Sequence, residues 1–238
     1  MIRYFPPESR YCSTFNGVTT RSLFSYDRYF DPGNIHFGPV LAFNDYEVSP
    51  GCGFGYHPHQ EVEQIFFIYE GHLSHYDSLN TELSLEAPSF QRITTGSGYA
   101  RSSMNSGNGV LRYLGIWFQP RFTGLAPGME KRSMESERCT GTFFPLATGH
   151  PDRFPPQRGA SPIVFNTDAT VYLARLTAGQ ELQRPVWHGK RCLTYMVSGS
   201  ADAGSAVIDC GGHIRVSGSE SFAIKARDTA LLVHIELG

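Results

Sequence analysis

The chain predicts an all-β fold arranged as two similar halves, and three observations carry that expectation. Its 238 residues include 25 Gly, 15 Pro, 17 Phe and 12 Tyr, the turn-rich and aromatic-rich balance of sandwiches and barrels. Short apolar or alternating runs recur about every 8–12 residues with turn signals between them. No stretch keeps a helical period over several turns.

The elements follow in order. Val40-Leu41-Ala42-Phe43-Asn44 is a short apolar run that polar residues and Pro50-Gly51 bring to an end. Asn44-Asp45 reads as turn chemistry there. Ile65-Phe66-Phe67-Ile68-Tyr69 is a buried strand that stops at Glu70-Gly71. His72 to Tyr76 alternates, Asp77-Ser78-Leu79-Asn80 turns the chain, and Leu111 to Phe118 closes the first half. Thr95-Gly96-Ser97-Gly98 is a turn between strands, without the Lys and helix of a phosphate loop. Asn105 to Gly109 is another turn. From Arg121 to Ser161 strand signals are weak, with one short strand or turn near Thr142–Leu146, so this stretch reads as a connection. The second half repeats the theme in Val171–Leu176, Thr194–Ser198 and Ala230–Ile235. There His188, beside Trp187, reads as structural. The expected division is 1–125, a connection over 126–160, and 161–238.

Bulk properties exclude several classes. A net charge of −2 without a basic block gives no electrostatic footprint for nucleic acid. No apolar run approaches the ~20 residues of a membrane-spanning helix, and the start, Met1 to Glu8, lacks the apolar core of a signal peptide. Cys12, Cys52, Cys139, Cys192 and Cys210 are odd in number and scattered, which favours free thiols in a reducing, cytoplasmic setting.

The chemistry concentrates at Gly51-Cys52-Gly53-Phe54-Gly55-Tyr56-His57-Pro58-His59-Gln60-Glu61-Val62-Glu63. A continuous strand would place His57, His59, Glu61 and Glu63 on one face. Two imidazoles and a carboxylate on one face make a candidate metal centre of the non-haem iron type. No Ser-His-Asp or Cys-His nucleophile arrangement accompanies them.

The run His57-Pro58-His59, Glu63, Tyr69-Glu70-Gly71, His75-x-Asp77-Ser78 resembles the signature of the pirin family. Phe30-Asp31-Pro32 and Thr95-Gly96-Ser97-Gly98 are similar to the same pattern. The resemblance implies a bicupin: two antiparallel β-barrel or sandwich (jelly-roll) domains packed face to face, with one metal in the N-terminal barrel. It also implies iron bound by the two histidines of the first motif, here His57 and His59, and by a Gly-x-Gly-x-x-His-x-Glu element. That element here is Gly96-Ser97-Gly98-Tyr99-Ala100-Arg101-Ser102-Ser103. Arg101 stands where the third histidine belongs and Ser103 where the glutamate belongs.

A guanidinium stays protonated and cannot act as a ligand. At ~4 Å from a divalent ion and an effective dielectric near 20 it repels the ion by ~8 kcal/mol. The expectation is therefore a small-molecule enzyme without the usual iron, of isomerase, cyclase or lyase type, acting on an anionic or enolisable substrate. His57 or His59 would transfer the proton, Arg101 would stabilise negative charge, and Glu63 would orient a histidine. Tyr99, Ser103 and Glu61 would line the site. Three alternatives stand beside it. Arg101 could pair with Glu61 or Glu63 in an inert salt-bridged core. His57, His59 and Glu63 could hold iron or another divalent metal for a flavonol-cleaving dioxygenase. The chain could also be a protein-binding transcriptional co-regulator.

Overall fold

Strand pairing between distant segments dominates the computed structural model, which describes residues 1–154, 161–186, 189–218 and 220–238. Among these residues the regular elements are strands and three short 3-10 turns, with no α-helix. The chain forms two compact units: Arg10–Met134 with Phe165–Thr167, and Met1–Ser9 with Glu135–Val164 and Asp168–Gly238. Among the described residues each unit holds one seven-stranded and one four-stranded sheet. Between the described strands pairing is antiparallel except where Phe144–Thr148 runs parallel to Ile163–Val164.

The division differs from the expected 1–125, 126–160 and 161–238, for two reasons of pairing. Ile2–Phe5 pairs with His213–Ser217 and so joins the second unit. Gly128–Ser133, inside the expected connection, pairs with Ser89–Thr94 and becomes the edge of the first unit's large sheet. The expected short strand near Thr142–Leu146 is Phe144–Thr148. His188 lies outside the described residues. Asn44 and Asp45 are not a turn: both sit within the strand Val40–Val48, buried between two partner strands, because the apolar alternation continues through Tyr46 and Val48.

In the first unit, Gly128–Ser133, Ser89–Thr94, Glu63–Glu70, Leu111–Phe118, Val40–Val48, Val18–Ser22 and Tyr11–Phe15 form the large sheet in that order. Gly53–His59, Tyr99–Asn105, His72–Asp77 and Glu82–Glu86 form the small one. Residues directly opposite in an antiparallel pair share a face. Phe66, Gly115 and Asn44 thus form one row, and Gln64 and Trp117 the next. Phe66, Ile68, Ile93, Tyr46 and Tyr113 of the large sheet pack with Leu73, Leu85 and Tyr99 of the small one. Each fully buried side chain of this size contributes about 1.5–3 kcal/mol. The second unit's interior is more uniformly aliphatic, built on Leu176, Met196, Ile214, Ile224 and Leu232.

Gly71, in the turn between Glu63–Glu70 and His72–Asp77, adopts φ +82, and a Cβ there would lie 2.6 Å from the Val110 carbonyl oxygen. Gly71→Ala is expected to destabilise the protein by about 1–3 kcal/mol through strain and forced separation of backbone. Urea denaturation monitored by tryptophan fluorescence measures it; an unchanged midpoint would refute the constraint.

Candidate active site in the N-terminal unit

The small sheet's register assembles the site. Across the pair of Gly53–His59 with Tyr99–Asn105, His57 faces Arg101 and His59 faces Tyr99. A bulge between Arg101 and Ser103 then sets Ser103 against Phe54. On the other side Arg101 faces Asp77 and Ser103 faces His75. Five of the expected site residues, His57, His59, Tyr99, Arg101 and Ser103, therefore share one inward face.

The two imidazoles have different environments. His57 Nδ1 lies 2.6 Å from the Gly55 carbonyl oxygen. A carbonyl only accepts, so Nδ1 carries the proton and Nε2 keeps its lone pair. The His59 ring meets His57 edge-on at 4.6 Å and Trp117 at 5.1 Å between centroids. Its Nε2 is sealed from solvent without a hydrogen-bond partner. Burial, then the Arg101 charge, then His57 hold the His59 pKa down to about 3. His57 is lowered too, chiefly by burial and further by Arg101, against the opposing bond to Gly55.

Arg101 is 5% exposed. Its guanidinium carbon stands 4.3 Å over the centre of the Phe66 ring, and Nη1 donates to Ser103 Oγ at 3.3 Å. Its Nε is sealed without a partner. Burial pulls its pKa below the usual guanidinium value, while the hydroxyls of Tyr113, Tyr46, Tyr99 and Tyr26 oppose that shift. Asp77, its cross-strand neighbour, is occupied elsewhere. One carboxylate oxygen accepts from Tyr99 Oη at 2.5 Å and meets His75 Nε2 at 3.1 Å. The other accepts the N–H groups of Leu79 and Thr81 at 2.8 and 3.0 Å. Burial would raise the Asp77 pKa, but these hydrogen bonds outweigh it and the net shift is downward. Tyr99 is thereby a support for Asp77 through its hydroxyl, although its ring lines the interior.

Glu61 and Glu63 do not join the site, which corrects the one-strand expectation. The strand ends at His59, and Glu61 adopts φ +52 in the following turn. Its Oε1 accepts from the Gly124 N–H at 2.9 Å. Glu63 opens the strand Glu63–Glu70 in the large sheet, on the face opposite Gln64 and Phe66. Its Oε2 accepts from Thr94 Oγ1 at 3.0 Å, and burial raises its pKa. Neither acid pairs with Arg101, and Glu63 does not orient a histidine.

The structure adds three residues that sequence reasoning missed, Phe66, Trp117 and Tyr26. His75 and Asp77, part of the family-like run, are buried on this face, with Asp77 capping the turn that follows. Trp117 and Tyr26 depend on pairing and loop placement that spacing does not encode. A cleft of about 450 Å³ beside His59 and Tyr99, edged by Pro58 and Ser78, opens at this end of the small sheet. In the second unit a cavity of about 300 Å³ is lined by Thr170, Cys192, His234 and Glu236. There His234 Nδ1 is bonded to Thr194 and Glu236 accepts from Tyr172.

With this geometry in place, comparison with known proteins is decisive. A family model described as Pirin matches residues 7–118. A Zymomonas mobilis protein provisionally named a quercetin 2,3-dioxygenase is 31% identical over 221 residues, 93% of this chain and 92% of that one. The chain belongs to the pirin family. The crystal structure of YhhW from Escherichia coli matches with a TM-score of 0.91 at 20% identity, covering 100% of this chain and 98% of that one. The bacterial pirin YhhW in complex with nickel(II) matches with a TM-score of 0.90 at 20% identity, covering 100% of this chain and 99% of that one. These likenesses establish the bicupin fold.

The residues present supply only two of the four donors that the resemblance implies, His57 and His59. Among the described residues no group of three His, Cys, Asp or Glu side chains is arranged to hold an ion. At the pirin position the donors reduce to two imidazoles, with a buried guanidinium directly opposite one of them. No carboxylate faces them unoccupied.

The His59 geometry has a pH consequence. An unfolded chain's imidazole titrates near 6.5. Above that pH both states hold His59 neutral. As pH falls from about 6.5 towards 3, the unfolded state takes up a proton that the folded site refuses, so stability declines across that window. The urea midpoint is expected to fall with pH there, and less steeply in His59→Phe. Identical slopes for the two proteins would disprove the assignment.

Proposed function

We propose that the N-terminal site around Arg101 and the two histidines binds a small organic anion and transforms it by acid/base and electrostatic catalysis, without a bound metal, in a reaction of the isomerase, cyclase or lyase class. The observation that supports this reading is the buried Arg101 guanidinium with no carboxylate partner among the described residues. An isolated buried charge costs several kcal/mol even after relaxation, and an anionic ligand is the natural compensation.

The residues have definite roles in such chemistry. Arg101 holds the substrate's negative group and stabilises charge that develops on an adjacent oxygen. His57 Nε2, kept unprotonated by the Nδ1–H bond to Gly55, removes a proton from the carbon beside a carbonyl. The C–H electron pair passes to the carbonyl oxygen to give an enolate, and the imidazolium returns the proton at the same or another carbon. Trp117, Phe66 and the His59 ring exclude water and favour a flat substrate.

The second reading is a metal-dependent dioxygenase. It is favoured by the quercetin 2,3-dioxygenase name of the Zymomonas mobilis relative and by the nickel(II) complex of YhhW. Among the described residues none specifically favours a co-regulator role.

Plasma mass spectrometry of the purified protein, before and after anaerobic incubation with ferrous iron, separates the first two. Little metal is expected in either sample. Arg101→His combined with Ser103→Glu, which restores the family's donor set, is expected to bring iron up to near one equivalent. Near-stoichiometric metal in the unaltered protein, lost in His57→Ala, would overturn the metal-free reading and establish the dioxygenase site.

A further inference from the structure

Tyr26 lies in the segment between Val18–Ser22 and Val40–Val48, before most of the strands that build the site. Local hydrogen bonds fix that segment. The Ser25 N–H donates to the Asn34 carbonyl at 2.9 Å, the Asp31 N–H donates to Ser25 Oγ at 2.9 Å, and Asn34 Nδ2 donates to the Leu23 carbonyl at 2.7 Å. The result sets the Tyr26 ring edge-on against Trp117, at 5.4 Å between centroids. The same indole meets His59, so Tyr26 extends the wall of the site.

Its hydroxyl ends a directed chain. Asn44 Nδ2 lies 2.9 Å from Tyr46 Oη, and an amide nitrogen can only donate. Tyr46 therefore accepts there and turns its own proton elsewhere. Tyr26 Oη, at 3.5 Å, is the acceptor offered to it. Tyr26 then has a proton to give and, among the described residues, no acceptor for it. The Arg101 charge also acts on this hydroxyl. The site thus presents a fixed cation and a neutral O–H donor along one aromatic wall.

Building on the anion-site reading above, we propose that Tyr26 is a specificity-determining residue. Its O–H is donated to an oxygen next to the carboxylate held by Arg101, which selects aryl 2-oxo acids over aryl acids lacking that oxygen. A guanidinium matches a carboxylate, whereas a neutral phenol matches a ketone or enol oxygen. The aromatic wall of Trp117, Tyr26 and Phe66 suits the aryl group. A 2-oxo acid also carries, beside its ketone, the kind of C–H bond that the proposed function assigns to His57 Nε2.

Phenylpyruvate and 3-phenylpropanoate differ at the 2-position by the keto oxygen, and isothermal titration of the full-length protein with each tests the proposal. Phenylpyruvate is expected to bind about three- to tenfold tighter, the worth of one hydrogen bond. In Tyr26→Phe the ratio should fall to about one, with 3-phenylpropanoate affinity within about twofold of the original. Tyr46→Phe should shrink the ratio part-way by removing the link that directs the Tyr26 proton. A ratio preserved in Tyr26→Phe overturns the role of Tyr26 while leaving the anion site standing. Arg101→Gln should abolish binding of both acids; binding of both at full strength in that variant refutes the anion site itself. Failure of the unaltered protein to bind either acid overturns the aryl 2-oxo class.

Discussion

The burial of one unneutralised guanidinium governs the N-terminal unit. A cation taken out of water costs several kcal/mol unless its surroundings replace the lost hydration. Arg101 receives the face of Phe66, worth about 2 kcal/mol for a desolvated pair, and one hydrogen bond from its Nη1 to Ser103. Four tyrosine hydroxyls surround it at longer range. These contacts account for only part of the cost. On the proposed reading, a bound anion would supply the rest, beside the unprotonated Nε2 of His57.

The acid opposite Arg101 in the sheet is engaged elsewhere. Register places Asp77 directly across from Arg101, and in an ordinary sheet such a pair would close into an ion pair. Here one Asp77 oxygen is bound by Tyr99 and His75, and the other caps the turn that ends the strand, through Leu79 and Thr81. The turn needs Asp77 where it is. The His75–Tyr99–Asp77 cluster, buried on the same face, thereby keeps Asp77 from pairing with Arg101.

What the sequence revealed of the site follows from the range of each interaction. Alternation along Gly53–His59 and along Tyr99–Asn105 is local, so His57 with His59 and Arg101 with Ser103 were legible as pairs on a face. The break at Glu61 was not: nothing in Gln60-Glu61-Val62 announces a positive φ, and without it Glu63 would have stayed on the histidine strand. Asn44-Asp45 looked like a turn because both residues favour turns, yet cross-strand partners on both sides hold them in the sheet. Fold class came through clearly, since many short strands betray themselves by turns. Which segment belongs to which unit did not, because Ile2–Phe5 and Gly128–Ser133 are assigned by pairing with residues far away in the chain. Trp117 and Tyr26 were hidden for the same reason.

Positions 101 and 103 have to be understood together. Had only the histidine at 101 given way to arginine, a glutamate two residues on, on the same face, would have formed an ion pair with it. The outcome would have been a neutral, salt-bridged core with neither metal nor free charge. Had only the glutamate given way, three imidazoles would still have offered a plausible, weaker metal site. With arginine and serine together, a divalent ion that can leave becomes a single positive charge that cannot. Such a charge can attract an anion and steady an enolate, but it has no open coordination position at which oxygen could bind. On the proposed reading, arginine and serine at these positions suit the pocket to proton transfer, and the unneutralised guanidinium is the group that would carry it.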